Sequence, residues 1–85
     1  MLNVEIQVGS KLVQLRTDLE REHLREPTNS MIAYTLGNLY ADSAPEKTLE
    51  YATLGLKHDF DPLRAGRVKT WITELTSAIE ASKRP

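Results

Sequence analysis

Ala33-Tyr34-Thr35-Leu36-Gly37-Asn38-Leu39-Tyr40 is the stretch that decides how this chain folds. With Ile32 just before it, it sets Ile32, Leu36, Leu39 and Tyr40 at the spacing of one apolar helix face. Gly37 lies inside that face, and Ala33 precedes it by one turn, so the two form a notch of small residues. A glycine within a helix costs about 0.5 to 1 kcal/mol relative to alanine. Close approach of a neighbouring helix is what offsets such a cost. The stretch therefore predicts helix-on-helix packing, and it speaks of contact surfaces rather than of chemistry.

Working outward, Pro27 ends whatever helix precedes it, because the residue before a proline is pushed out of the helical region. Thr28, Asn29 and Ser30 then offer three N-caps for a helix over 29–41. Asp42 and Ser43 break it. Ser43-Ala44-Pro45-Glu46 has the spacing of a capping box, with proline in the first turn of a helix over 44–58. In that helix Leu49, Ala52 and Leu56 share a face, flanked by Tyr51, Leu54 and Gly55. So short a join predicts an antiparallel hairpin. Asp61 caps and Pro62 opens the last helix, where Gly66 loosens the first turn. Val68, Trp71, Ile72, Leu75, Ala78 and Ile79 give it the clearest amphipathic pattern in the chain.

On the other side, Ser10 caps a first helix over 10–26. Leu12, Leu15 and Leu19 recur along it, with Val8 before them and His23 after. Segment 2–8 is ambiguous. Leu2, Val4, Ile6 and Val8 alternate with Asn3, Glu5 and Gln7, the period of a half-buried strand. No other segment alternates this way, and a lone strand cannot satisfy its own backbone. An extended 2–8 would have to pair with another subunit or a ligand protein; otherwise residues 1–9 are a lead-in to the helix. Lys83-Arg84-Pro85 reads as a frayed tail. The sum is an all-α fold, a three- or four-helix bundle in a single domain over 1–85.

The 85 residues suffice for one thin core but not for a deep enclosed active site. Hydrophobic residues at 40% and charged residues at 27% exclude a disordered chain. A net charge of −1 gives no global field toward nucleic acid or an anionic membrane. The absence of cysteine excludes disulfides, thiolate metal sites and thiol catalysis, and favours a reducing compartment such as the cytoplasm. No apolar run approaches the roughly 20 residues that span a bilayer, and the N-terminus lacks the basic and apolar regions of a signal peptide.

His58-Asp59-Phe60-Asp61 is the one cluster with metal-ligand chemistry. Its adjacent His-Asp pair resembles that of the HD phosphohydrolases, whose metal needs further ligands from other helices; the one other histidine, His23, lacks an acidic neighbour in that pattern. The simpler reading is that His58 complements a helix C-terminus and Asp61 caps the next helix. No nucleophile and base pair suggests itself, so the sequence predicts no catalytic residue, no metal and no cofactor. Arg64, Arg67 and Lys69 place positive charge in the first turns of the last helix, the unfavourable end of its dipole. Pairing with Asp59 or Asp61 offsets that conflict; alternatively the cluster is a basic spot for an acidic partner or phosphate. Trp71 reads as core, whereas Tyr34, off the main stripe of its helix, reads as a partner-facing aromatic.

Leu36-Gly37-Asn38-Leu39-Tyr40 resembles helix A of a tetratricopeptide repeat, with Leu36, Gly37 and Tyr40 at matching spacing. Leu49-Glu50-Tyr51-Ala52 is similar to helix B, and Pro62 lies one residue past the place of the closing proline. Ala33 departs from the large residue common at its position. The resemblance covers residues 30–62. It implies an antiparallel helical hairpin whose glycine admits a neighbour, and, by analogy, the groove-binding role of adaptors and chaperones. The expected function is thus protein binding as an adaptor, co-chaperone or inhibitor, with another protein or a second copy as partner. Ala33, Tyr34, Gly37, Tyr40, Arg64 and Arg67 would form the contact surface. No small-molecule substrate is expected. The alternatives are a nucleic-acid-binding regulator using residues 64–69 and a metal-dependent hydrolase using His58, Asp59 and Asp61.

Overall fold

A computed structural model describes residues 2–83, with side chains from Lys11 onward. Four helices follow one another: α1 (Leu2–Arg25), α2 (Ser30–Leu39), α3 (Pro45–Lys57) and α4 (Pro62–Ser82). No strand occurs among the described residues, so the all-α expectation holds. The alternation in residues 2–8 does not produce an extended segment. With no strand to pair with, the backbone satisfies itself within α1, which begins at Leu2. Ser10 accordingly lies inside α1 and not at its start. Lys83 closes α4; Met1, Arg84 and Pro85, the ends of the lead-in and the tail, lie outside the described residues.

The other helix starts follow local chemistry. Of the three candidate caps before α2, Asn29 takes the position. Its backbone is extended, and its side chain accepts from the Met31 and Ile32 amides at 3.1 and 3.3 Å. Asp61 caps α4 in the same way, accepting from Leu63 and Arg64 amides at 3.0 and 3.3 Å, with Pro62 opening the helix. The capping box expected at α3 does not form: the N-cap is Ala44, which has no capping oxygen, and Pro45 alone sets the first turn. Gly66 does not loosen α4, which runs through it without interruption.

Among the described residues α1 packs on α2, α2 on α3 and α3 on α4, and no other pair of helix backbones meets. Such serial packing spreads the helices sideways. The principal extents are 43 × 40 × 19 Å and the radius of gyration is 14.4 Å, against about 12 Å for a compact domain of this length. The centre is the expected antiparallel α2–α3 hairpin. Leu36, Thr48 and Ala52 are fully buried there, and Ala33 nearly so. Two hydroxyls bolt the hairpin at either end: Ser30 Oγ donates to the Gly55 carbonyl and Thr48 Oγ1 to the Gly37 carbonyl, both at 2.7 Å. A carbonyl has two lone pairs, so each glycine oxygen accepts this second bond while also accepting a helical amide, from Tyr40 at Gly37 and from His58 at Gly55.

The two glycines ease this approach to different degrees. A Cβ on Gly37 would lie 3.3 Å from the Thr48 carbonyl oxygen and 3.4 Å from the Trp71 ring. A Cβ on Gly55 would fall 2.4 Å from Cε1 of Tyr34, deep inside van der Waals contact. Tyr34, Ala52 and Val68 form the core cluster, against which Leu56, Trp71 and Ile72 pack from α3 and α4. Tyr34, read from the sequence as facing a partner, is therefore inside: Gly55 opens the space that its ring fills.

Candidate functional site

The α3–α4 junction is where the chain concentrates its polar chemistry. Asp59 follows α3 with its side chain fully enclosed. Its carboxylate accepts from Arg64 Nε at 2.8 Å and Nη2 at 2.9 Å, from the Tyr34 hydroxyl at 2.8 Å and from the Asp61 amide at 2.9 Å. The fork of the guanidinium matches the two carboxylate oxygens, the strong bidentate geometry of this pair. That guanidinium above all, with the amide and the phenol, holds the Asp59 carboxyl well below the usual carboxylate range despite its burial. Burial, then the hydrogen bond to Asp59, pushes the Tyr34 phenol up to about 12. The expected pairing of Arg64 with Asp59 and Asp61 is thus present, the second contact longer at 3.9 Å.

Beside this network an open groove of about 390 Å³ runs between α2 and α4. Tyr34, Val68 and Trp71 give it an apolar floor; Asn38, Arg64 and Arg67 stand at its rim. Arg67 has no carboxylate within 4.0 Å among the described residues. A second groove of about 230 Å³ lies where α1 passes the end of α2, lined by Leu12, Val13, Arg16, Leu39, Asp42 and Ser43.

The residues expected to form a contact surface part company here. Tyr34, Arg64 and Arg67 meet at the α2–α4 groove, although Tyr34 is buried and offers it little surface. Ala33, Gly37 and Tyr40 are buried within the hairpin and its contact with α1. Tyr40 stacks on Tyr51 with ring centroids 6.0 Å apart and donates its hydroxyl to Glu20. Arg16 and Lys47 cover its ring at 4.8 and 4.7 Å, so two cations and two helices occupy every side from which a partner would come. The small-residue notch is an internal joint. Asn38, Val68 and Trp71 are groove residues that the sequence reading did not single out as a surface. The i, i+4 step from Arg67 to Trp71, with Val68 beside them, is the signal that was available.

The cluster at His58, Asp59 and Asp61 is spent on structure. His58 is the C-cap of α3, Asp59 is saturated by its donors and Asp61 holds the first turn of α4. Among the described residues no group of three or more His, Cys, Asp or Glu side chains gathers in a way that would hold a metal ion. The basic cluster is dispersed too: Arg64 is bound to Asp59, and Arg67 and Lys69 lie about 200° apart around α4. No described helix is long and apolar enough to cross a membrane. No known protein family, curated protein or solved structure matches the chain.

Proposed function

We propose that this chain is a protein-interaction module that acts by presenting apolar helix surface to another protein chain, as an adaptor, co-chaperone or inhibitor does. One observation carries the reading: among the described residues, more large apolar side chains lie outside than are buried. Leu12, Val13, Leu15, Leu24, Phe60 and Leu63 are between 46% and 95% exposed, while the largest fully buried apolar side chain is Leu36. Single exposed apolar residues are ordinary, but grouped ones mark interaction surfaces. Geometry explains the α1 group. α1 has 24 residues and α2 has 10, so α1 is about 36 Å long against about 15 Å for the helix that covers it. Leu12 and Val13 fall where α2 ends.

The cysteine-free composition fits a reducing compartment such as the cytoplasm. The nucleic-acid and metal-hydrolase readings have less support, because Arg64 and the aspartates they rely on are already engaged with one another.

The test is affinity capture with the wild-type chain beside a Leu12→Glu/Leu15→Glu variant, with bound chains identified and the mass of the free protein measured by light scattering. Both positions are exposed, so helical content should persist. Support is a partner, or a self-assembled species, whose recovery falls at least about tenfold in the variant, a loss of about 1.4 kcal/mol. A wild-type chain that stays monomeric and retains nothing, or retains the same set as the variant, refutes the α1 surface.

A further inference from the structure

Phe60 is 95% exposed and Leu63 is 77% exposed, and nothing in the fold uses either side chain. Yet the loop that carries Phe60 is firmly held. On one side Asp59 is locked by Arg64, Tyr34 and the Asp61 amide. On the other, Asp61 accepts from the Leu63 and Arg64 amides. An aromatic ring held out by a rigid loop has already lost most of the backbone freedom that docking would otherwise remove, which is the property of an interface anchor.

The receptor for such an anchor lies farther along α4, the helix that this loop leads into. The α2–α4 groove, about 390 Å³ with Tyr34, Val68 and Trp71 for its floor, is wide enough for one large apolar side chain. At its rim stands Arg67, without a carboxylate within 4.0 Å among the described residues. Phe60 is followed directly by Asp61, whose side chain is 47% exposed. One oxygen of Asp61 serves the cap; the other is 3.9 Å from Arg64, an ion-pair contact too long for a hydrogen bond, so that oxygen still has room for a closer donor. The molecule therefore carries an apolar ring next to an acid, and an apolar groove next to an unpaired cation. Leu63, Arg67 and Trp71 succeed one another at i, i+4, so knob and groove share one stripe of α4. A patch complementary to itself is the condition for a two-fold symmetric contact.

We propose that the Phe60–Leu63 knob docks in the α2–α4 groove of a second copy of this chain, forming a symmetric dimer in which Asp61 of each copy faces Arg67 of the other. The assignment rests on reading the chain as an interaction module and supplies the partner. The two phenylalanines together contribute roughly 300–500 Å² of buried area, which puts the reciprocal contact below the about 1,200 Å² of stable specific interfaces and among the weak, transient ones. The dimer is accordingly dependent on concentration.

Trp71 is the chain's one tryptophan and lines the groove, so it reports occupancy directly. The experiment follows mass by sedimentation and tryptophan emission from about 1 μM to about 500 μM, a span that covers affinities of this order. For the wild type the mass should rise from 9.6 kDa toward twice that value, with a parallel blue shift of Trp71. Phe60→Ser should remove both changes, and Arg67→Glu should move the midpoint at least about tenfold higher. Circular dichroism should be unaltered, since both side chains are exposed. A monomer throughout the range overturns the proposal, as does self-association that persists unchanged in Phe60→Ser. Self-association lost in Leu12→Glu/Leu15→Glu but kept in Phe60→Ser overturns the α4 dimer while supporting the module reading. Phe60-dependent capture of a different protein by a chain that stays monomeric does the same.

Discussion

Alanine at each of the three α2–α4 glycines makes the same chemical change in three surroundings, and the structure assigns each its own sign. In a helix, glycine to alanine stabilises by about 0.5 to 1 kcal/mol through propensity alone. At Gly66 a Cβ meets nothing within 4 Å, so Gly66→Ala should show that full gain and raise the melting temperature by about 3 to 6 °C. At Gly37 the Cβ meets a backbone oxygen at 3.3 Å and the Trp71 ring at 3.4 Å. Tightness offsets propensity there, and the stability should change by less than about 0.5 kcal/mol. At Gly55 the Cβ would lie 2.4 and 2.7 Å from two carbons of the Tyr34 ring. The ring cannot swing aside freely: its hydroxyl is bound to Asp59 and its faces pack in the core cluster. Overpacking costs about 1–3 kcal/mol, and contacts this short put Gly55→Ala at the upper end; less the propensity gain, it should lose about 2 kcal/mol and about 8–16 °C. Urea titration followed by circular dichroism measures all three. A Gly55→Ala variant as stable as the wild type would refute the argument that Tyr34 is clamped over Gly55.

Thr48→Val keeps the shape of a fully buried side chain and removes its bond to the Gly37 carbonyl, so urea denaturation should show a loss of about 1 kcal/mol. His23 Nδ1 is enclosed with no hydrogen-bond partner among the described residues, and the ring meets Tyr51 edge-on at 5.5 Å; His23→Phe keeps that contact, removes the nitrogen and should gain about 1 kcal/mol in the same measurement. The Asp59 carboxyl is lowered in the folded state, so its contribution is complete above the ordinary carboxylate value of about 3.9 and is lost as pH falls through its depressed value. Asp59→Asn should flatten the acid limb of the urea midpoint against pH. Tyr34, raised from 10.0 to about 12, contributes below pH 10 and loses that contribution as pH climbs to about 12. Tyr34→Phe should reduce the alkaline slope without abolishing it, because Tyr40 and Tyr51 are raised as well.

The fold was legible wherever a residue acts on its own backbone or on its helix neighbours. Pro27, Asn29, Asp61 and Pro62 mark helix ends by local sterics and capping, and they stand where the sequence puts them. Gly37 announced a close helix contact, and that contact exists. Residues 2–8 misled because alternation is only half of a strand; the other half is a partner, and without one the helix wins. Ser43 misled because Ala44 took the cap position, one residue later than the capping box required. Gly55 was passed over because its meaning lies in Tyr34, which is distant in sequence and adjacent only once the hairpin has closed.

The candidate site was less legible, and the reason is the order in which interactions are satisfied. Tyr34 looked available because it is amphipathic, and although the sequence predicts that Arg64 pairs with Asp59 or Asp61, it does not show that Asp59 reaches the phenol as well. Once Asp59 draws the phenol inward and the guanidinium sideways, the neighbouring residue between two anchored aspartates has nowhere to turn but outward. Phe60 is exposed because Asp59 is buried. A variant that frees Asp59 should therefore change how Phe60 is presented even though the ring itself makes no contact. Arg64→Gln removes the bidentate donor, and the concentration at which Trp71 emission shifts should rise with it. If Arg64→Gln loosens the junction, seen as faster amide exchange at Asp61 and Leu63, yet leaves that midpoint in place, then presentation of the knob does not depend on the ion pair.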